Sequence, residues 1–252
     1  MKKYPSYLNL LKKELNLRIE RLFKILENCE ICPRKCHINR LKKKKGYCQL
    51  GDLPVISAYH PHFGEEKPLV GFHGSGTIFF TSCNLSCVYC QNYEISQLRI
   101  GEEISFERLA EMMISLQDKD CHNINFVTPT PQVPQIIKAL SIAIDKGLKI
   151  PLVYNTSSYD SIEVLKLLDG IVDIYLPDAR YSDNKIAVKY SNAPRYFDIM
   201  KAAIKEMHRQ VGDLVINKEG IAERGLLIRH LVLPNRVAGS FKVLDFIAEK
   251  IS

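Results

Sequence analysis

The segment Cys83-Asn-Leu-Ser-Cys87-Val-Tyr-Cys90 puts three thiols within eight residues. A loop this short can curl over one face of an iron–sulfur cubane and ligate three of its four irons. Ferredoxins with similarly spaced cysteines use a fourth. Here the next cysteine is Cys121, far along the chain and just before a predicted strand, where it is poorly placed to close the site. One iron is then left without a protein ligand, and an open position is what separates a catalytic metal site from a closed one. The competing readings are a zinc site completed by His73 or His122, or three unrelated core cysteines.

A second set, Cys29-x2-Cys32-x3-Cys36 followed by Cys48, makes four thiols. Four thiolates form a closed set, suited to structural zinc or to a fully ligated iron–sulfur cluster. Spacing does not choose between an auxiliary cluster that relays electrons and a structural clamp. Cys121 reads as a buried free thiol.

The eight cysteines come without a secretion signal, because the N-terminus MKKYPSYLNLLKKELNLRIE is charged throughout. Clustered thiols in a reducing compartment are more often metal ligands than disulfides. A cytoplasmic protein is the expectation. No apolar run approaches the roughly 20 residues that span a bilayer. The net charge is +7, and much of it falls in the first 45 residues, including Lys42-Lys43-Lys44-Lys45. No aromatics interleave the lysines as they would in a base-stacking groove, so the run reads as a solvated loop rather than a nucleic-acid site.

These residues need elements to hold them. Residues 6–28 space Leu8, Leu11, Leu15, Ile19, Leu22 and Leu26 along one face and predict an amphipathic helix leading into the first cysteine set. The Gly- and Pro-rich stretch 51–76 reads as an irregular connection. Short apolar runs then predict strands at Thr77–Thr81, Ile124–Thr128, Pro151–Thr156, Val172–Leu176 and Leu226–Leu233. Helices are expected over 105–118, 133–146, 161–169 (after Asp160, with Glu163 completing a capping box), 195–211 and 241–250. The alternation implies α/β architecture with parallel strands and right-handed crossovers. Ligands in such sheets bind at the carboxyl ends of the strands. Polar residues collect there: Ser82-Cys83, Thr128-Pro129-Thr130-Pro131, Asn155-Thr156-Ser157 and Pro177-Asp178-Ala179-Arg180, with Arg229 and His230 inside the fifth strand.

Cys-x3-Cys-x2-Cys with Tyr89 before the last cysteine resembles the radical SAM signature, SAM being S-adenosylmethionine. GSGTIFFTSCNLSCVYCQNYEIS resembles more narrowly the PflX-type family related to pyruvate formate-lyase activating enzyme. NINFVTPTPQVPQI, PLVYNTSSYD, DGIVDIYLPDARYSD, GLLIRHLVLPN and the upstream CEICPRKC…NR…GYC extend that likeness. The resemblance implies a partial parallel (β/α)6-type radical SAM barrel over residues 59–252, with residues 1–58 forming a small helical, Cys-rich metal-binding segment. It implies a 4Fe–4S cluster on Cys83, Cys87 and Cys90, with SAM chelating the open iron. SAM would be cleaved reductively to methionine and a 5′-deoxyadenosyl radical that abstracts hydrogen from a substrate.

By the same resemblance Tyr89 packs near the adenine, or is simply a core aromatic. Thr128 and Thr130 contact the SAM amino group, although many radical SAM proteins have Gly-Gly-Glu where this chain has Thr-Pro-Thr-Pro. Asn155 and Ser157 meet the ribose or the methionine carboxylate, or serve a turn. Asp178 and Arg180 resemble the Asp-x-Lys pair of glycyl-radical activating enzymes, with arginine changing the geometry. His230 corresponds to a histidine near SAM, or is a satisfied core histidine. The expected partners are SAM, a reductant such as flavodoxin or ferredoxin, and a protein glycyl site or small molecule as substrate. A non-catalytic iron–sulfur or zinc protein, carrying electrons or docking a partner, is the alternative. Relatives continue into a sixth strand, whereas this chain ends after the fifth and its helix. Either the barrel is short, or a strand near Val55–Ala58 fills the edge.

Overall fold

The computed structural model describes residues 4–251. Residues 1–3 of the charged N-terminus, and Ser252, lie outside them. The strands, in chain order, are β1 Val55–His62, β2 Ser75–Phe80, β3 Glu102–Glu103, β4 Ile124–Val127, β5 Leu152–Thr156, β6 Ile174–Pro177, β7 Val215–Ile216 and β8 Ala222–Leu226. They form one sheet in the order β3-β1-β2-β4-β5-β6-β8-β7. β2, β4, β5, β6 and β8 are mutually parallel, while β1 and β7 run antiparallel to their neighbours. Among the described residues this is the partial parallel barrel, with β1 beside β2 where an edge would otherwise lie open.

The helices are α1 Lys12–Ile25, α2 Lys67–Val70, α3 Tyr93–Ser96, α4 Phe106–Gln117, α5 Val133–Asp145, α6 Ile162–Leu167, α7 Asn184–Ser191, α8 Tyr196–Val211 and α9 Ser240–Lys250. The larger ones bury apolar faces on one side of the sheet. Leu109 and Met113 of α4, Leu140 of α5 and Met200 of α8 join Phe126, Tyr154 and Tyr175 in a core that also takes Leu15, Ile19 and Leu22 of α1. Side chains alternate along a strand. The opposite face therefore carries Val153, Ile174 and Leu176, which pack with Ala222 and Leu69 in a second, smaller core.

Four expectations are corrected. The stretch 51–76 is not irregular, because Val55–His62 pairs along β2 from Ile56–Phe80 to His62–Ser75. Pro61 sits beyond the two residues that β3 covers, so its missing N–H faces an open edge. The first helix is shorter than 6–28. Leu11 is its extended N-cap and is 74% exposed, while 3-10 turns flank the helix at Ser6–Asn9 and Leu26–Asn28. Asp160 does not cap α6; Ser161 stands at that position, and Asp160 turns inward. The fifth parallel strand is Ala222–Leu226, not Leu226–Leu233. Leu231 and Val232 are exposed, so their apolar character does not mark burial in the sheet.

The expected division after residue 58 falls inside β1. Lys42–Lys45 are exposed, as a solvated loop requires. No helix of the described residues is long and apolar enough to cross a membrane.

Candidate active site

The carboxyl ends of the parallel strands lead into loops with conformations that side chains rarely adopt. Ser82 after β2, Thr128 after β4 and Ser158 after β5 all have φ between 61° and 68°. Such a conformation costs of order 1–3 kcal/mol and is held only where its surroundings over-determine it. The segments after Ser82 and Thr128, and the residues just before Ser158, line one cavity of about 660 Å³, within the roughly 300–1,000 Å³ usual for small-molecule sites.

The cavity brings the expected site residues together. Cys83, Cys87, Tyr89, Cys90, Thr128, Thr130, Asn155, Ser157, Asp178, Arg180 and His230 all line it. Each of the three sulfurs meets a polar partner. Cys83 Sγ accepts from the Leu85 backbone N–H at 3.3 Å. Cys87 Sγ accepts from Arg180 Nη1 and from Ser191 Oγ, both at 2.9 Å. Cys90 Sγ lies 3.2 Å from Ser96 Oγ. Burial pushes the Cys83 thiol up to about 12. Left alone it stays protonated at neutral pH, whereas a bound cation deprotonates a coordinating thiol outright. Three sulfurs facing N–H, O–H and guanidinium donors fit an anionic iron–sulfur cluster. Arg180 Nε is buried without a hydrogen-bond partner.

The competing ligands lie elsewhere. Cys121 N–H bonds back to Leu116 just before β4. His122 Nε2 faces the backbone N–H groups of Phe72 and His73, and the two imidazoles sit 5.4 Å apart. All of these are at the amino end of the sheet, away from the loop that follows β2.

The remaining predicted residues are tied to one another. Thr130, Thr156 and Tyr154 donate their hydroxyls to the Asp160 carboxylate at 2.7, 2.6 and 2.9 Å. Among the described residues no cation pairs with Asp160. Burial lifts its carboxyl above the ordinary range, and the three hydroxyls pull it partly back. Thr130 spends its only proton on Asp160, so the lone pairs it has left are acceptors. The Tyr89 hydroxyl bonds that of Tyr181. Tyr196 donates to the Ser157 carbonyl at 2.8 Å. Ala179 O sits against His230 Nδ1, which must then carry the proton, leaving Nε2 to accept from Ser240 Oγ at 2.8 Å. Asp178 is clamped by Arg180 at 2.6 Å and by Arg229 Nε at 2.8 Å.

Three side chains at the site have roles that the sequence does not assign. Arg229 reaches Asn155 Oδ1 as well as Asp178, and it faces Glu65 at 3.4 Å and Glu66 at 3.7 Å. Glu65 also receives Asn155 Nδ2 at 3.3 Å. An acidic pair in a loop and an arginine more than 160 positions later carry no shared spacing signal. The close pair Glu65-Glu66 in a short apolar context was the one available hint.

Burial raises the Glu65 carboxyl from 4.5 to about 7, against the pull of Arg229 and with help from Glu66. A raised acid favours the folded state at low pH. That contribution is full below the unfolded value and is lost as pH rises through about 7. Glu65→Gln should therefore flatten the stability profile between those limits by about 3 kcal/mol. Urea denaturation at a series of pH values measures it, and an unchanged slope would show that Glu65 keeps no proton there.

Comparison with known proteins adds a family. The model of the radical SAM superfamily matches residues 77–217. An uncharacterised protein of Methanocaldococcus jannaschii is 35% identical over 247 residues, covering 94% of this chain and 66% of that relative. A second uncharacterised protein of the same organism is 28% identical over 122 residues, covering 42% of this chain and 35% of its own. The chain spans less than two thirds of the length of either relative.

Proposed function

Because the chain belongs to the radical SAM superfamily, whose enzymes use a 4Fe–4S cluster and SAM, we propose that Cys83, Cys87 and Cys90 ligate that cluster and that the cavity beside them binds SAM. The single observation that carries this is the lining of one cavity by all three thiols and by the loops after β2, β4, β5 and β6. When bound, the cluster supplies one electron that splits SAM into methionine and a 5′-deoxyadenosyl radical able to take hydrogen from a substrate.

The chain's own residues bind and orient. Thr130, fixed as an acceptor by Asp160, receives the SAM ammonium in place of the glutamate of Gly-Gly-Glu. Thr128 supports it from the strained turn. Tyr89, braced by Tyr181, packs against the adenine. Asn155, held between Arg229 and Glu65, would meet the ribose or the methionine carboxylate together with Ser157. Arg180 joins Asp178 to the Cys87 sulfur, placing a cation on the cluster rather than on a peptide. His230 has both nitrogens occupied by the protein and so shapes the wall.

The likeness to PflX-type relatives of pyruvate formate-lyase activating enzyme makes a protein glycyl site the substrate class to try first, with a flavodoxin or ferredoxin as reductant. Anaerobically reconstituted, dithionite-reduced protein should convert SAM to 5′-deoxyadenosine and methionine in equal amounts. A stable cluster with intact SAM would overturn the reading and favour an electron carrier.

A further inference from the structure

The four N-terminal thiols lie directly against the cluster loop. Cys29, Cys32, Cys36 and Cys48 are brought together by two backbone bonds between 29 and 37–38, at 2.8 and 3.1 Å, and by Tyr47 N–H facing Cys36 Sγ at 3.5 Å. The Ile31 and Arg34 N–H groups interact with the sulfurs of Cys29 and Cys32. That is the spacing by which Leu85 N–H meets Cys83 Sγ in the other set.

Arg40 supplies the independent observation. Its side chain is fully buried. The oxygens it bonds are neutral carbonyls, Gly51 O at 3.0 and 2.7 Å and Pro131 O at 2.7 Å. Among the described residues no carboxylate pairs with it. A buried guanidinium without an anion is strongly unfavourable. The anion-forming group beside it is the Cys29 sulfur. A thiolate-ligated metal centre carries negative charge and would complete the pair.

Asn84 joins the two thiol sets. It is buried, its side chain interacts with Cys32, and its Oδ1 lies 3.9 Å from Cys83 Sγ. Arg34 stacks on Tyr47 at 3.8 Å and bonds Asn84 O at 2.9 Å, locking the segment onto the loop. Among the described residues no three His, Cys, Asp or Glu side chains close around a single ion. Four cysteines saturate a cubane.

We propose that Cys29, Cys32, Cys36 and Cys48 hold a second 4Fe–4S cluster, balanced by Arg40, that passes single electrons to the cluster at Cys83, Cys87 and Cys90 across Asn84. A reduced low-potential carrier of the flavodoxin or ferredoxin class loses one electron. The second cluster gains it, then returns to its oxidised state as the first is reduced. The relay rests on the function proposed above; the cluster itself does not.

Metal analysis of anaerobically reconstituted protein should find ~8 irons per chain, and the triple variant Cys83→Ser/Cys87→Ser/Cys90→Ser should keep ~4. That variant cannot cleave SAM, so its iron separates this proposal from the preceding one. Four irons plus one zinc in the wild type, or an iron-free triple variant, would overturn it. Cys32→Ser/Cys36→Ser should retain dithionite-driven SAM cleavage while flavodoxin-driven cleavage drops at least ~10-fold, about 1.4 kcal/mol. Equal loss with both reductants, or loss with neither, would overturn the relay.

Discussion

Serine at Cys87 should leave a folded chain that forms no measurable 5′-deoxyadenosine. The native cysteine is 5% exposed, and its sulfur accepts from Arg180 and Ser191 together. An alcohol does not ionise to replace a thiolate ligand, so the proposed cluster would lose one of three anchors. Iron content should fall by ~4 per chain, and SAM cleavage by about three orders of magnitude or more, equivalent to at least ~4 kcal/mol in the barrier. Cys90→Ser should lose activity equally but stability less, because its sulfur meets a single hydroxyl, Ser96 Oγ, rather than a guanidinium and a hydroxyl. Cys121→Ser is the control. Its side chain is buried at the far end of the sheet, and activity should persist. Wild-type cleavage by Cys87→Ser, followed by chromatography of the nucleoside product, would refute the ligand assignment.

The convergence of Cys83, Cys87 and Cys90 on one cavity was legible because the three lie within eight residues, and a loop that short keeps its thiols together. The strand-end polar residues were legible for a related reason. β2, β4, β5 and β6 are covered on both faces, so each reads as an apolar run and its end as the first polar residue. That logic fails where burial and pairing part company. Val55–His62 alternates poorly and contains Pro61, yet apart from a bulge between Ile56 and Ala58 it pairs along β2, because only one of its sides needs a full ladder. Leu231 and Val232 look like strand and stand in solvent. The long-range polar contacts were invisible. Arg229 meets Glu65 and Asp178 only because the loop between β1 and α2 and the segment that follows β8 converge on the cavity. Asp160 was read as a helix cap from its neighbours in the chain, while its actual partners come from β5 and from the loop after β4.

Asp160 is for that reason a sensitive polar position outside the cysteines. Removing its carboxylate in Asp160→Ala strands three buried hydroxyls, those of Thr130, Thr156 and Tyr154. Each orphaned donor costs about 1–3 kcal/mol before relaxation, and Thr130 and Thr156, 3.2 Å apart, can recover one bond between them. A net loss of about 3–4 kcal/mol is expected, near 10 °C in Tm for a domain this size. Asp160→Asn keeps one acceptor and should cost less, about 1–2 kcal/mol. It also removes a titrating group. Burial holds the wild-type carboxyl above its ordinary range, so the wild type gains stability as pH falls from that raised value toward the unfolded one, and the Asp160→Asn variant should show a shallower rise. In the proposed SAM pose the substitution has a second consequence. The amide NH2 can donate to Thr130 and turn the hydroxyl proton toward the cavity, where it opposes the SAM ammonium. SAM affinity of Asp160→Asn, measured by calorimetry on folded protein, should fall about tenfold, or ~1.4 kcal/mol. Unchanged affinity alongside the expected Tm shift would confine Asp160 to holding β5 against the loop after β4.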